Sequence, residues 1–104
     1  AYLKEKGYQL IERDWKSGRR DIDIIAKDET GTIVFVEVKT RRSRVFGEPE
    51  EAIDYRKMQS LQQAINHYIK FRHINNDVRF DIISIVGTIG SEAEINHIKD
   101  VALI

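Results

Sequence analysis

The segment that decides the fold is residues 35–42, FVEVKTRR. It continues an apolar run of β-branched and aromatic residues, which is typical of a strand buried on both faces. Glu37 and Lys39 then stand two residues apart, so on a strand their side chains point to the same face. An acid and a base at the end of a buried strand, followed at once by Arg41 and Arg42, require an explanation.

Composition limits the classes of protein to consider. With 104 residues, 41% hydrophobic and 33% charged, the chain is expected to form one globular domain over residues 1–104. No apolar run approaches the roughly eighteen residues of a membrane-spanning helix, and there is no cysteine, so we expect a cytoplasmic protein. The net charge of zero argues against a highly basic coat protein of nucleic acid. Residues 39–44 nevertheless hold four basic side chains and no acid.

Turn signals and periodicity predict the order helix, three strands, helix, and one or two strands. The predicted strands are residues 8–15, 21–27, 32–40, 78–86 and, with weaker alternation, 94–98. A basic turn is expected at 16–20. The long helix is expected to start at Pro49 and to carry an apolar stripe from Met58 to Arg72. These elements predict an α/β fold, a mixed sheet flanked by helices.

The second predicted strand carries Asp21 and Asp23, again two residues apart. Whether these acids meet Glu37 and Lys39 depends on the length of the connecting hairpin loop. An odd-length loop, such as 28–32, pairs position 23 with 37 and position 21 with 39, whereas a two-residue loop puts the acids on opposite faces. We predict the odd loop, which brings Asp23 and Glu37 together.

Two close carboxylates repel each other, and a divalent cation removes the conflict. Mg²⁺ or Mn²⁺ would bind such hard oxygen ligands and keep the rest of its shell for water and substrate phosphate. Lys39 could then orient the attacking water or neutralise charge on phosphorus, and Arg41 and Arg42 could hold a phosphate backbone. The alternative is a solvated, ion-paired strand end, with Glu37 bound to Lys39 and Asp21 to an arginine.

These residues resemble a known signature. Asp23 followed by Glu37-Val38-Lys39 is similar to the motif of the PD-(D/E)xK nuclease superfamily, which has the restriction-endonuclease-like fold. Residues 21–53, DIDIIAKDETGTIVFVEVKTRRSRVFGEPEEAI, resemble more closely the YraN-like family of bacterial proteins, itself similar to archaeal Holliday junction resolvases. The similarity continues through residues 55–57 and 79–81, and so covers most of the chain.

The resemblance implies an α-β-β-β-α-β core and a Mg²⁺-dependent endonuclease that hydrolyses DNA phosphodiester bonds, including those of branched, Holliday junction-like DNA. It implies that Asp23 and Glu37 are catalytic acids and metal ligands. The backbone carbonyl of Val38 would be a further ligand, and Lys39 would be the catalytic lysine. Lys57 matches the family's helix lysine and is expected to face the nucleic acid.

Two departures from the family pattern affect these expectations. The family's G-E-I-D sequence is Arg20-Asp21-Ile22-Asp23 in this chain, which leaves Asp21 as an accessory acid at most. The family's first helix, with the pattern G-x-x-G-E-x-x-A, is expected to be mostly absent ahead of residues 1–3. A glutamate on that helix would then be missing from the site.

Two other classes of function stay open at this stage. One is a nucleic-acid-binding module that retains the scaffold but cleaves poorly or not at all. The other is an interaction protein in which the Glu37–Lys39 pair is only structural. A junction resolvase would require a homodimer to cut two strands symmetrically. The three histidines have no partner at ligand spacing and are expected at the surface or at helix ends: His67, His73 and His97.

Overall fold

The computed structural model describes residues 2–41, 55–87 and 94–102. The elements are α1 (Tyr2–Glu5), β1 (Gln9–Ser17), β2 (Arg20–Lys27), β3 (Ile33–Arg41), α2 (Tyr55–Phe71), β4 (Val78–Val86) and β5 (Glu94–Ile98). The five strands form one sheet in the order β1-β2-β3-β4-β5. β3 and β4 are parallel, and the other neighbours are antiparallel. The predicted α/β architecture and the fifth strand are confirmed.

The third strand is buried on both faces because each face of the sheet has its own apolar cluster. Phe35 packs in the cluster under α2, whereas Val34 and Val36 pack in a smaller cluster under α1. All three side chains are at most 1% exposed. The uninterrupted apolar run before Glu37 therefore fills two cores, as a strand buried on both faces requires.

The helix α2 buries the predicted apolar stripe against the sheet. Leu61, Ile65 and Tyr68 belong to the cluster that contains Phe35. Arg72 lies beyond the last helical residue and forms an ion pair with Glu12, with 3.1 Å between Nη2 and Oε1. The predicted helix start at Pro49 lies outside the described residues. In the described ranges no helix is both long and apolar enough to cross a membrane.

The β1–β2 hairpin is longer than the sequence predicted. β1 continues to Ser17, which pairs with Arg20, so the turn consists of Gly18 and Arg19 alone. Gly18 has a φ of 63°, a left-handed conformation that glycine adopts without a steric penalty. The predicted basic turn at 16–20 is therefore mostly strand, because two residues suffice to close a hairpin.

The β2–β3 loop sets the register that the site requires. Asp28 Oδ1 accepts hydrogen bonds from the Thr30 N–H (2.9 Å), the Thr30 hydroxyl (2.7 Å) and the Thr32 N–H (3.0 Å). These bonds close an odd-length loop, and Lys27 pairs with Ile33 across it. The predicted register is confirmed, since the ladder then runs on to Ile24↔Val36 and leaves positions 23 and 37 opposite each other.

Asp28→Ala is expected to lower the free energy of unfolding by about 2 kcal/mol, because three loop donors lose a charged acceptor. Asp28→Asn is the matched control, since its amide oxygen can still accept from the loop while the ion pair with Arg79 (3.2 Å) is lost. Urea denaturation of the three proteins measures the difference. Equal stability of the alanine variant and the wild type would show that the loop bonds do not hold the register.

Past the Ile24↔Val36 pair, β2 and β3 separate. β2 goes on pairing with β1 as far as Ser17↔Arg20, and β3 with β4 as far as Arg41↔Val86. Within the described residues no ladder pair joins 20–23 to 37–41. We name this opening the β2–β3 fork.

The fork makes the predicted pairing of Asp21 with Lys39 wrong. A register shift between Leu10 and Glu12 interrupts the β1–β2 ladder, and such bulges increase the local twist of a strand pair. The β1–β2 hairpin thus continues as a separate pair, while β3 stays paired with its parallel neighbour β4. The two prongs of the fork are therefore the end of the β1–β2 hairpin and the end of β3.

Candidate active site

Glu37 lies at the base of the fork and is almost fully buried, with 4% of its surface exposed. Its Oε1 atom is 3.7 Å from the ammonium of Lys39 and 3.7 Å from that of Lys57. Its Oε2 atom is buried without a hydrogen-bond partner among the described residues. A buried polar atom in that state is costly, so this oxygen is available to a ligand.

The two lysines compensate the charge of Glu37 without occupying its lone pairs. A distance of 3.7 Å is longer than the 2.7–3.2 Å range typical of an N–H···O hydrogen bond. Burial raises the pKa of Glu37, and the neighbouring Asp23 carboxylate raises it further, whereas Lys57 and Lys39 act in the opposite direction. The carboxylate thus lies in a site where an additional positive charge would be favourable.

Asp23 reaches across the fork to the backbone of β3. Its Oδ2 atom accepts a hydrogen bond of 2.8 Å from the Val38 N–H. In an unbroken ladder Ile22 would face Val38, so the side chain of Asp23 takes the place of a missing strand partner. The N–H and C=O groups of one strand residue point to the same side, and the Val38 carbonyl therefore also lies on the fork side.

These groups suit a hard divalent cation. Two carboxylates and a backbone carbonyl form an all-oxygen donor set, and Mg²⁺ is commonly held by only one or two carboxylates while the rest of its shell is water and phosphate. Within the described residues no group of three His, Cys, Asp or Glu side chains could hold a metal. Asp23 and Val38 border a surface depression of about 470 Å³ that is open to solvent.

The other predicted site residues take different positions. Asp21 is exposed on the hairpin prong and has only the smallest effect on the pKa of Glu37. Lys57, predicted to face nucleic acid, lies beside Glu37 with 39% of its side chain exposed. Arg41 is the last residue of β3, and Arg42 lies outside the described residues. The roles of these residues stay predictions.

The raised pKa of Glu37 leads to a test of its environment. Glu37→Gln is expected to raise the melting temperature at neutral pH in the presence of a chelator, because it removes a buried charge and keeps the shape of the side chain. A carboxyl group with a raised folded-state pKa stabilises the fold below its unfolded-state value, near 4.5, and loses this contribution as the pH rises through the folded-state value. The advantage of the variant should therefore shrink as the pH falls toward 4.5.

Thermal unfolding of both proteins between pH 4 and pH 8 measures this effect. Glu29→Gln, on the exposed β2–β3 loop, removes the same charge from a solvated position and serves as the control. A difference between wild type and Glu37→Gln that does not change with pH would contradict the prediction.

The sequence interpretation missed a buried polar network at Asp81 on β4. Asp81 is fully buried and accepts two hydrogen bonds from the Arg79 guanidinium (2.8 and 2.9 Å) and one from the Asp100 backbone N–H (3.0 Å). His97 Nε2 lies 2.7 Å from its second oxygen. Burial alone would raise the pKa of Asp81, but the bonds from Arg79, Asp100 and His97 outweigh burial and hold that pKa below its usual value.

The network connects the elements at the closed end of the sheet, which is the end that carries the β2–β3 loop. Arg79 also donates to the Tyr8 hydroxyl (2.6 Å) and to Asp28 (3.2 Å), and His97 contacts the Tyr2 hydroxyl through Nδ1 (3.3 Å). The expectation that His97 lies at the surface is wrong, since its side chain is 5% exposed. The available signal was an aspartate between apolar residues of the strand VRFDIISIV, two positions after an arginine.

Two solved structures that share this fold are similar to this chain. One is a repair endonuclease from Pyrococcus abyssi, with a TM-score of 0.51 and 19% identity over 86% of this chain and 34% of that chain. The other is the EndoMS–dsDNA2 complex, with a TM-score of 0.50 and 20% identity over 83% of this chain and 31% of that chain. The chain thus spans about a third of each, and the likeness shows that its fold is restriction-endonuclease-like.

Relatives by sequence are closer. A UPF0102 protein of Bacteroides thetaiotaomicron is 43% identical over 100 residues, which are 96% of this chain and 81% of the relative. One from Alkaliphilus metalliredigens is 45% identical over 100 residues, 95% of this chain and 85% of the relative. The model described as "Uncharacterised protein family UPF0102" matches residues 1–85. The chain therefore belongs to UPF0102, the YraN-like family.

Proposed function

We propose that the protein is a metal-dependent endonuclease that hydrolyses DNA phosphodiester bonds with Mg²⁺ or Mn²⁺. The observation that carries the proposal is Glu37, a buried carboxylate with an unpartnered oxygen, next to Asp23 at the base of the fork. A buried carboxylate oxygen without a partner destabilises the fold unless a cation binds to it. A buried acid whose pKa is raised, as that of Glu37 is, is a candidate for a catalytic site when a second acid lies beside it.

Each residue of the site has a proposed role. Asp23, Glu37 and the Val38 carbonyl would hold the ion, which when bound supplies Lewis acidity and lowers the pKa of water. The Lys39 ammonium, next to Glu37, is placed to orient the attacking water and to neutralise charge that develops on the phosphoryl oxygens. Lys57 would support Glu37 from α2.

The choice of DNA as substrate is supported by the shared fold. The restriction-endonuclease-like fold is that of a repair endonuclease and of a protein captured with double-stranded DNA. The resemblance to junction resolvases adds branched DNA as a substrate class, and a four-way junction would then require a homodimer. A cytoplasmic location would give the protein access to chromosomal DNA.

The second candidate is a nucleic-acid-binding module that cleaves poorly or not at all. It is favoured by the two lysine ammonium groups beside Glu37, since they compensate its charge without a metal ion. Salt-sensitive binding without metal-dependent nicking would identify this function.

A panel of labelled duplex, single-stranded and four-way-junction DNA, each with Mg²⁺, Mn²⁺ or chelator, tests the proposal. We expect nicking that requires the metal and is strongest on one DNA structure. In parallel, millimolar Mn²⁺ should raise the melting temperature of the wild type, because a ligand that binds only the folded state stabilises it. The increase should be absent in Glu37→Gln. Binding without nicking would support the second candidate, and a melting temperature unaffected by metal would contradict the metal site.

A further inference from the structure

We propose that the end of the β1–β2 hairpin grips the phosphate backbone of the nucleic acid beside the fork. The surface consists of Lys16, Arg19 and Arg20, named here the hairpin clamp. The inference deepens the proposed function, because it assumes that a nucleic acid is the ligand. The inference assigns binding of the phosphate backbone to residues other than the predicted Arg41, Arg42 and Lys57.

The charges of the hairpin clamp are exposed and uncompensated. All three side chains are exposed, and in the described part of the chain none of them forms an ion pair. Residues 16–20 hold these three cations and no acid. A group of exposed cations beside a cleft attracts polyanions, and guanidinium groups match phosphate oxygens in geometry.

The hairpin holds these cations in place. The Ser17 hydroxyl contacts the Nδ1 atom of His67 on α2. The Trp15 ring packs edge-on against Tyr68, with 5.1 Å between ring centroids. The turn beyond these two contacts consists of Gly18 and Arg19 alone, so the end of the hairpin contains no longer loop. A clamp that is already ordered loses less conformational entropy when it binds.

The length of the prong predicts which phosphates it reaches. Arg20 is three residues beyond Asp23 on β2, which at about 3.3 Å per residue corresponds to roughly 10 Å. Successive phosphates of one strand of duplex DNA are separated by about 3.4 Å along the axis. When the hairpin lies along the axis of the duplex, the clamp would therefore contact phosphates about three nucleotides from the one that lies over the fork.

The test compares two double variants that each remove two positive charges. Arg19→Ala/Arg20→Ala removes two of the three cations of the hairpin clamp. Lys6→Ala/Lys99→Ala changes exposed residues at the opposite, closed end of the sheet. Fluorescence anisotropy with a labelled 20-base-pair duplex and a four-way junction, in chelator and from 50 to 200 mM salt, measures Kd and its salt dependence.

The Kd of the clamp variant should be at least about tenfold higher than that of the wild type. The magnitude of the slope of log K against log salt should decrease by about two, since each lost phosphate contact lowers that magnitude by about 0.9. The control variant should match the wild type, and Arg19→Lys/Arg20→Lys should retain most of the affinity. Circular dichroism and the Mn²⁺-induced shift in melting temperature should be unchanged in all of them, so that a loss of fold or of the metal site is detected.

The outcomes separate the inference from the function on which it rests. Wild-type binding that the clamp variant retains in full, with the same slope, overturns the clamp alone. Equal weakening by both double variants also overturns it, since total charge would then explain the effect. A wild type that binds neither DNA overturns the clamp, whereas the proposed function is judged by the metal-dependent nicking of the same DNA structures.

Discussion

Lys39→Ala is expected to lower the rate of metal-dependent cleavage by about 10²- to 10³-fold. Removal of one group that stabilises transition-state charge costs an enzyme about this factor. The Lys39 ammonium lies 3.7 Å from Glu37 and its side chain is 23% exposed, so it can face both the site and a substrate. The fold should survive, because Lys57 still compensates the charge of Glu37.

The experiment is sharpest when Lys39→Ala is compared with Glu37→Ala. Glu37→Ala should lose both cleavage and the Mn²⁺-induced rise in melting temperature, because it removes a proposed ligand. Lys39→Ala should lose cleavage and keep the rise. Lys6→Ala, a lysine at the opposite end of the sheet, is the matched control for charge, and loss of cleavage in an identically purified Lys39→Ala protein excludes a contaminating nuclease. Full activity in Lys39→Ala would exclude the proposed role of this lysine.

Asp81→Ala is expected to lower the free energy of unfolding by about 3–5 kcal/mol, the largest effect on stability that we predict. Removal of one partner from a buried ion pair is strongly destabilising, and of its two ion pairs in the described residues Arg79 would keep the longer one, to Asp28 (3.2 Å). The bonds from His97 and the Asp100 N–H are lost at the same time. These two bonds join β4 to β5 and to the segment that follows β5.

A double variant separates the lost charge pair from the lost packing. Arg79→Met/Asp81→Ala should recover part of the loss, since no buried charge then remains unpaired. Urea denaturation at pH 7 gives the three stabilities. Because the pKa of Asp81 is lowered in the fold, its contribution is present above the unfolded-state value of 3.8 and lost as the pH falls through the lower folded-state value. A loss below 1 kcal/mol for Asp81→Ala would show that the network is not a major source of stability.

The β2–β3 register was predictable because it depends on a local signal. Asp28, Thr30 and Gly31 form the loop from their own hydrogen bonds, and loop length sets which residues face each other. Further along the two strands the same prediction was wrong. It continued the ladder to Asp21 and Lys39, where the structure has the fork instead, because twist in β1 is not encoded in the loop.

The position of Lys57 could not be predicted from spacing. Lys57 and Glu37 are twenty residues apart in the chain, and only the packing of α2 against the sheet brings the Lys57 ammonium to Glu37. His97 is a similar case, since its partner Asp81 is sixteen residues away on a neighbouring strand. A histidine without ligands at local spacing can still be buried by a contact between strands.

By itself the sequence determined the elements, the buried central strand, the loop that sets the register, the family, and the set of acids and bases at the strand end. Each of these follows from near neighbours along the chain, through periodicity, turn chemistry and side-chain alternation. Only the tertiary structure decided that β2 and β3 part beyond Val36, that Lys57 joins Lys39 at Glu37, and that Asp81 organises a buried network. These depend on strand twist and on helix packing, which sum the interactions of residues distant in the chain.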